Sequence, residues 1–182
     1  MSTNAPATSR LLAILTFPGG SNDAASSVAL RPGSSLSKKR TISSTFIRKK
    51  IKSGDIIQAN KLLNRLWSIE GKVIKGQKRG RKIGFPTCNL NISNYVIPRL
   101  GVYAVRVEAS KFKRKGIANI GYRPTFNGKK LLLETNIFGI NKNLYNKVIN
   151  VKFIKFLRPE KKFKNLEYLK KQIKIDIEYA KK

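Results

Sequence analysis

The sequence predicts an all-β core, a closed antiparallel barrel of about six short strands, followed by one amphipathic helix. Two observations carry this. From Ser68 onward, segments rich in β-branched and aromatic residues (SIEGKVI, GVYAVRVEA, KGIANIGY, KLLLETNIF and VINVKFIKFL) are separated by Gly, Asn and Pro punctuation. After them Leu166, Leu169, Ile173, Ile177 and Ala180 recur at steps of three and four with lysines opposite, so Asn165 to Lys182 reads as a helix lying against the barrel.

In chain order, residues 1–40 differ from the rest. They are rich in Ser, Ala, Pro, Gly and Thr, with a single acid, Asp23, and one short apolar run, Leu11 to Phe17. Such a segment builds no core and reads as a disordered, low-complexity tail. Its Ser-rich, acid-poor character is also loosely that of a transit peptide. Thr41 to Leu66 reads as two short helices: Ser43 or Ser44 caps the first, Gly54 stops it, and Asp55 caps a second running toward Leu63. The organisation expected is therefore a tail over 1–40, a helical segment over 41–67 and a barrel domain over 68–182.

The 182 residues carry 39 Lys+Arg against 9 Asp+Glu, a net charge of +30. That surplus attracts polyanions, nucleic acid or nucleotides alike, and its Lys, Asn and Ile richness also fits compositional drift on solvated faces. There is no histidine, which excludes a Ser-His-Asp triad, a His general base and His-ligated zinc. The single cysteine, Cys88, excludes an intramolecular disulfide and agrees with a reducing compartment. No run approaches the roughly 18 apolar residues of a membrane helix.

Gly71 to Leu90, GKVIKGQKRGRKIGFPTCNL, is the densest stretch of chemistry. Gly76, Gly80 and Gly84 allow positive φ and close approach of backbone to a ligand. Lys78, Arg79, Arg81 and Lys82 lie among them, and the combination suits a polyphosphate. The spacing is neither that of a P-loop nor of a dinucleotide fingerprint. A flexible basic hairpin loop fits the composition equally. On the extended segment that follows, Thr87 and Asn89 point the same way, bringing a hydroxyl and an amide to one spot. Mg²⁺ keeps several waters and takes ligands from phosphate, so two neutral oxygens suffice for it; an Asx/ST turn is the alternative.

Of the nine acids, only Glu70, Glu108 and Glu134 fall on expected strands. Glu134 interrupts the apolar run Leu131-Leu132-Leu133 and shares a face with Leu132 and Phe138. A carboxylate there has a partner or opens onto a site; an edge-strand glutamate facing water is the other reading.

In order along the chain, GKVIKGQKRGRKIGFPTCNL, GVYAV (101–105), GIANIGYRPTF (116–126), LLLETNIF (131–138), LYNKVINVKFIKFLRPEKKF (144–163) and the closing helix resemble the riboflavin kinase module. Its signature is a glycine-rich loop ending in Gly-Phe-Pro-Thr-Ala-Asn, and the module forms the C-terminal half of bacterial bifunctional riboflavin kinase/FMN adenylyltransferase (FAD synthetase). The resemblance spans Ser68 to Lys182. It implies a six-stranded Greek-key barrel that transfers the ATP γ-phosphate to riboflavin, giving FMN and ADP, with Mg²⁺ or another divalent cation. It makes Glu134 the catalytic base. It places Thr87 and Asn89 on the metal and phosphates, and Gly76, Gly80, Arg81 and Gly84 in the loop that holds ATP. It makes Arg158, in a flap over the flavin, a flavin contact, with an arginine bracing the closing helix as the alternative; Asn119, Gly121 and Arg123 are expected in a loop on the flavin side, with Asn119 and Arg123 as further contacts. Asn136 stands where the family usually has His, Gly139 where Asp is common, and Cys88 where Ala is usual.

ISSTFIR (42–48) matches a motif near the end of the family's adenylyltransferase half, whose His-x-Gly-His motif has no counterpart in a chain without histidine. FMN adenylylation is accordingly expected to be absent, with 41–67 a helical remnant packed on the kinase module. The remaining expectations are a cytoplasmic monomer (organellar if 1–40 is a transit peptide) acting on riboflavin and ATP, with no membrane or nucleic-acid partner. Two rival readings are a basic barrel that binds nucleic acid and an inactive relic.

Overall fold

Local capping sets the first two helices. In the computed structural model, which describes residues 43–125, 128–140 and 142–182, α1 (Ser44–Ser53) starts at Ser43, whose hydroxyl accepts the Phe46 N–H. It ends at Gly54 in the left-handed conformation, φ 84°. α2 (Ile56–Leu63) is capped by the Asp55 carboxylate, which accepts from Gln58 N and pairs with Lys50 at 2.8 Å. The segment is built into the barrel. Ile51, Ile56 and Ala59 are buried in its main core. Asn60 donates to Phe153 O at 2.9 Å and accepts from Trp67 N at 2.7 Å. The tail expected over 1–40 lies outside the described residues.

The barrel strands are β1 (Ser68–Lys72), β2 (Cys88–Asn91), β3 (Gly101–Ala109), β4 (Phe112–Thr125), β5 (Gly128–Ile137) and β6 (Val148–Arg158), with a single helical turn, α3 (Arg79–Lys82), between β1 and β2. Their order is β1-β6-β3-β4-β5-β2, and every pairing is antiparallel. Strands β3, β4 and β5 form a meander and β6 returns beside β3, which is a Greek key. A bridge between Ile74, just past β1, and Asn89 on β2 brings the two ends of the sheet together, so the barrel is nearly closed. Its interior is filled by Tyr103, Phe153, Ile69, Leu90, Ile120 and Leu133. Phe153 packs against both Trp67 and Tyr103, with ring centroids 4.7 and 5.2 Å apart.

α4 (Leu166–Lys181), capped by Asn165, lies on the outside of the barrel. Ile173, Ile177 and Ala180 pack on Val102, Ala104 and Ile117 to make a second, smaller core. These three belong to the face its periodicity predicts, whereas Leu166, at the start of that face, is 48% exposed.

Of the two readings of the segment after the glycine loop, the extended one holds, since Cys88 to Asn91 pairs with β5 as a sixth strand. One expectation is corrected. Asn119, Gly121 and Arg123 are not on a loop but within β4. Gly121 and Pro124 resemble loop punctuation, yet β4 pairs with β3 only as far as Ile120 and with β5 alone beyond it. A proline is tolerated there because the missing N–H falls on an unpaired edge.

Candidate active site

The register of the sheet assembles the site. Glu134 on β5 lies directly opposite Asn89 on β2 and, on its other side, opposite Asn119 on β4. Asn119 is opposite Val102 on β3, which is opposite Arg158 on β6. Five neighbouring strands therefore place Asn89, Glu134, Asn119, Val102 and Arg158 in one row on the outer face. The alternate residues Leu133, Thr135 and Ile137 point into the buried core.

A cavity of about 700 Å³ opens over this row, bounded by the glycine loop, the β6–α4 connection and the first half of α4. Its lining includes the apolar side chains of Val102, Ile117, Leu132, Phe163, Leu169 and Ile173 and, from the glycine loop, the basic Lys75, Lys78 and Arg79. The cavity thus offers apolar surface for a flat ring system and positive charge for an anion.

Gly76, Gly80, Thr87, Asn89, Asn119, Arg123, Glu134 and Arg158 all line it. Arg81 and Gly84 are exposed and lie outside its wall. Of the three loop glycines only Gly84 has positive φ. Gly76 is required for a different reason: a Cβ there would lie 2.0 Å from the Asn89 amide nitrogen.

Asn89 is 5% exposed and its Oδ1 has no partner among the described residues; the Asn119 Oδ1 is likewise buried and unpartnered. Buried amide oxygens without a partner, on side chains that line a cavity, call for an explanation, and a bound ligand or cation is one. Thr87 lies beside Asn89 on the same face, while Cys88 between them packs against the core. Neutral oxygen donors of this kind fit a hard divalent cation that keeps waters and phosphate oxygens as its other ligands. Among the described residues no group of three or more His, Cys, Asp or Glu is placed to hold a metal without such help.

Arg123 connects two acids. Its Nε and Nη2 donate to Glu134 Oε2 at 2.9 and 2.5 Å, and its Nη1 donates to Glu160 Oε1 at 3.1 Å. Burial favours the neutral guanidine, but the bonds to Glu134 and Glu160 outweigh it and hold the guanidinium above its ordinary pKa. Arg158 lines the cavity with its guanidinium held by the buried Asp176 of α4, at 2.7 Å for the shortest contact; Gln172 also donates to that carboxylate. Arg158 thus braces α4 against β6.

Sequence reasoning passed over two residues here. Glu160, which falls on none of the expected strands, reaches both Arg123 and Asn119 Nδ2. No local pattern marks it, because the contact joins distant parts of the chain. Asn136 donates to Pro86 O at 2.7 Å and ties the Gly-Phe-Pro-Thr turn to β5. Its place as the departure from the family's His was the available signal.

Comparison with known proteins agrees with this architecture. A family model described as Flavokinase, riboflavin kinase, matches residues 63–182. The bifunctional riboflavin kinase/FMN adenylyltransferase of Bacillus subtilis is 41% identical over 145 residues, 78% of this chain and 46% of that protein. The same enzyme from Haemophilus influenzae is 43% identical over 141 residues, 77% of this chain and 46% of that protein. The chain thus spans about half the length of these curated relatives. Among solved structures, a Streptococcus pneumoniae protein titled a macrolide-efflux protein superposes with a TM-score of 0.73 at 36% identity, covering 81% of this chain and 49% of that one. No helix among the described residues is long and apolar enough to cross a membrane. With the family match covering the whole barrel and α4, the chain belongs to the riboflavin kinase family.

Proposed function

We propose that this chain phosphorylates the ribityl 5′-hydroxyl of riboflavin from ATP, giving FMN and ADP. The observation that carries the reading is the cross-strand row, in which Glu134 stands between two cavity-lining asparagines whose buried side-chain oxygens have no partner among the described residues. Phosphoryl transfer needs an in-line arrangement of hydroxyl and γ-phosphate, charge neutralisation on the phosphates, and a base for the hydroxyl proton. The apolar surface between the sheet and α4 takes the isoalloxazine ring, which leaves the ribityl chain along the row with its terminal hydroxyl at Glu134. Glu134 accepts the proton as the oxygen attacks phosphorus. Lys78 and Arg79, with the N–H groups of the loop around Gly76 and Gly80, hold the phosphates. Thr87 Oγ1 and Asn89 Oδ1 are the groups that would hold Mg²⁺. When bound, the metal neutralises charge on the transferring phosphoryl group and the leaving ADP. Excluding water from the cavity strengthens each of these interactions.

The product of this chain alone is FMN and not FAD, since no histidine is available to an adenylyltransferase His-x-Gly-His motif. The test is purified protein with riboflavin, ATP and Mg²⁺, products separated by chromatography, and Glu134→Gln in parallel. FMN without FAD, abolished by the substitution, is the expected result. FAD would overturn the second part. Absence of any product would overturn the first, leaving an inactive relic or a polyanion-binding barrel; Tyr122 is the single large aromatic exposed on the described strands, a poor platform for stacking bases.

A further inference from the structure

We infer that Arg123 is a positioning residue that fixes the rotation of the Glu134 carboxylate, and that Glu160 is the anchor that holds Arg123 in place. The inference rests on the kinase reading above and adds two residues to its machinery.

The bonds on Arg123 determine what it can do. Nε and Nη2 both converge on Glu134 Oε2, and Nη1 serves Glu160 Oε1 and the Tyr122 carbonyl, at 3.1 and 3.0 Å. Four of the guanidinium's five N–H groups are thereby committed inside the protein. A guanidinium so engaged is poorly placed to bind phosphate or flavin directly. Its hold on Glu134 is through one oxygen. No hydrogen bond or ion pair reaches Oε1 among the described residues, and Glu134 lines the cavity, so Oε1 is the oxygen left for the hydroxyl proton. A carboxylate pinned by one oxygen presents the other in a single orientation, which proton transfer within hydrogen-bond reach requires.

Glu160 has a built seat. Asn119 Nδ2 donates to the same Oε1 that Arg123 uses, at 3.1 Å. The carboxylate lies flat against β4 where Gly121 leaves the backbone bare, since a Cβ at that position would stand 2.0 Å from Oε1. An adventitious surface ion pair needs no such clearance. The composition argues the same way. With 39 cations competing for 9 acids, chance pairing puts several cations on one acid, as Lys113 and Lys152 do at Glu108. One cation holding two acids runs against that imbalance, and it occurs at the proposed base. Half-exposed ion pairs also contribute little to stability, which leaves geometry as the more consequential product of the arrangement.

The experiment measures kcat, both KM values and melting temperature for wild type, Glu134→Gln, Arg123→Ala, Arg123→Lys and Glu160→Gln. Arg123→Ala is expected to lower kcat by about 10²-fold with both KM values little changed, as a misplaced catalytic group does. Arg123→Lys recovers little of this, because a point charge cannot span two carboxylates as a planar fork does. Millimolar ethylguanidinium restores turnover to Arg123→Ala and ethylammonium does not. Glu160→Gln, which leaves the Arg123–Glu134 bonds possible but loosens the anchor, lowers kcat by on the order of tenfold. A rise in the KM for ATP or riboflavin with kcat kept would make Arg123 a ligand contact and overturn the inference. So would unchanged kcat in Arg123→Ala, or a fall in melting temperature that rescue does not accompany. Failure of the kinase reading shows separately, as no FMN from wild type or undiminished FMN from Glu134→Gln, and takes this inference with it.

Discussion

Replacing Gly76 by alanine adds one methyl group to a loop and tests how the site is held. Gly76 does not adopt the left-handed conformation, so its backbone accepts alanine. The new Cβ would stand 2.0 Å from the Asn89 amide nitrogen and 2.9 Å from its Cγ. An ordinary contact of roughly 3.5 Å requires the amide to retreat by about 1.5 Å. Asn89 is 5% exposed and its strand is fixed on both sides, by β5 and by the Ile74 N–H at 2.9 Å to its carbonyl, so the side chain has to swing while the backbone stays. Displacing a ligand-positioning group by more than an ångström costs about 10²-fold in turnover, or roughly 2.7 kcal/mol of transition-state stabilisation. Stability should change by less than about 1 kcal/mol, because the alanine also reduces the freedom of the unfolded chain.

Steady-state FMN formation and urea melts on Gly76→Ala, Asn89→Ala and the double variant settle it. If the glycine acts by making room for Asn89, the two losses do not add, and the double variant is no slower than Asn89→Ala. Full additivity would refute the reasoning and assign Gly76 a role of its own, such as direct contact of its backbone with phosphate.

Three further outcomes follow from the packing. Asn60→Ala removes both the donor to Phe153 O and the acceptor of Trp67 N, and should destabilise the fold by about 2–3 kcal/mol in urea titrations; a loss under about 0.5 kcal/mol would mean that α2 is not clamped to β6 by this side chain. Cys88→Ala should leave FMN formation within about tenfold of wild type, since the thiol packs into the core away from the cavity. Burial pushes that thiol above its ordinary pKa, so the folded protein should resist alkylation at pH 8, and rapid modification would contradict the packing. Glu108 is held below the usual glutamate range chiefly by its bond to Lys152, against the opposing effect of burial and with help from Lys113. Its folded pKa is therefore lower than its unfolded one. The stabilisation is present above the unfolded value of about 4.3 and is lost as pH falls through the folded value. Urea midpoints taken from pH 6 down to pH 3 should show a smaller acid-side loss in Lys152→Met than in wild type; equal losses would remove Glu108 as their source.

The parts of this molecule that were legible in the sequence are those whose cause is local. Ser43, Gly54, Asp55 and Asn165 mark helix ends because a cap needs only the adjacent turn. Glu134 stood out because it breaks an apolar run, and alternation alone put it on the opposite face from Leu133. What could not be read was register. Nothing within β2, β4 or β5 says that Asn89, Glu134 and Asn119 fall opposite one another, yet a shift of one residue in either pairing would turn an amide into the core and dissolve the row. The same limit explains the glycines. Gly76 reads as a source of backbone freedom and Gly121 as part of a loop, whereas each is a space reserved for a side chain from elsewhere, Asn89 in one case and Glu160 in the other. Glycine is ambiguous in sequence for this reason: positive φ is a property of the residue's own backbone, but clearance belongs to its neighbour. Where a glycine with ordinary φ lies on a strand beside a cavity, the more informative question is which side chain occupies the place of its missing Cβ. At Gly121 the occupant is Glu160, an acid from the connection between the last strand and the closing helix.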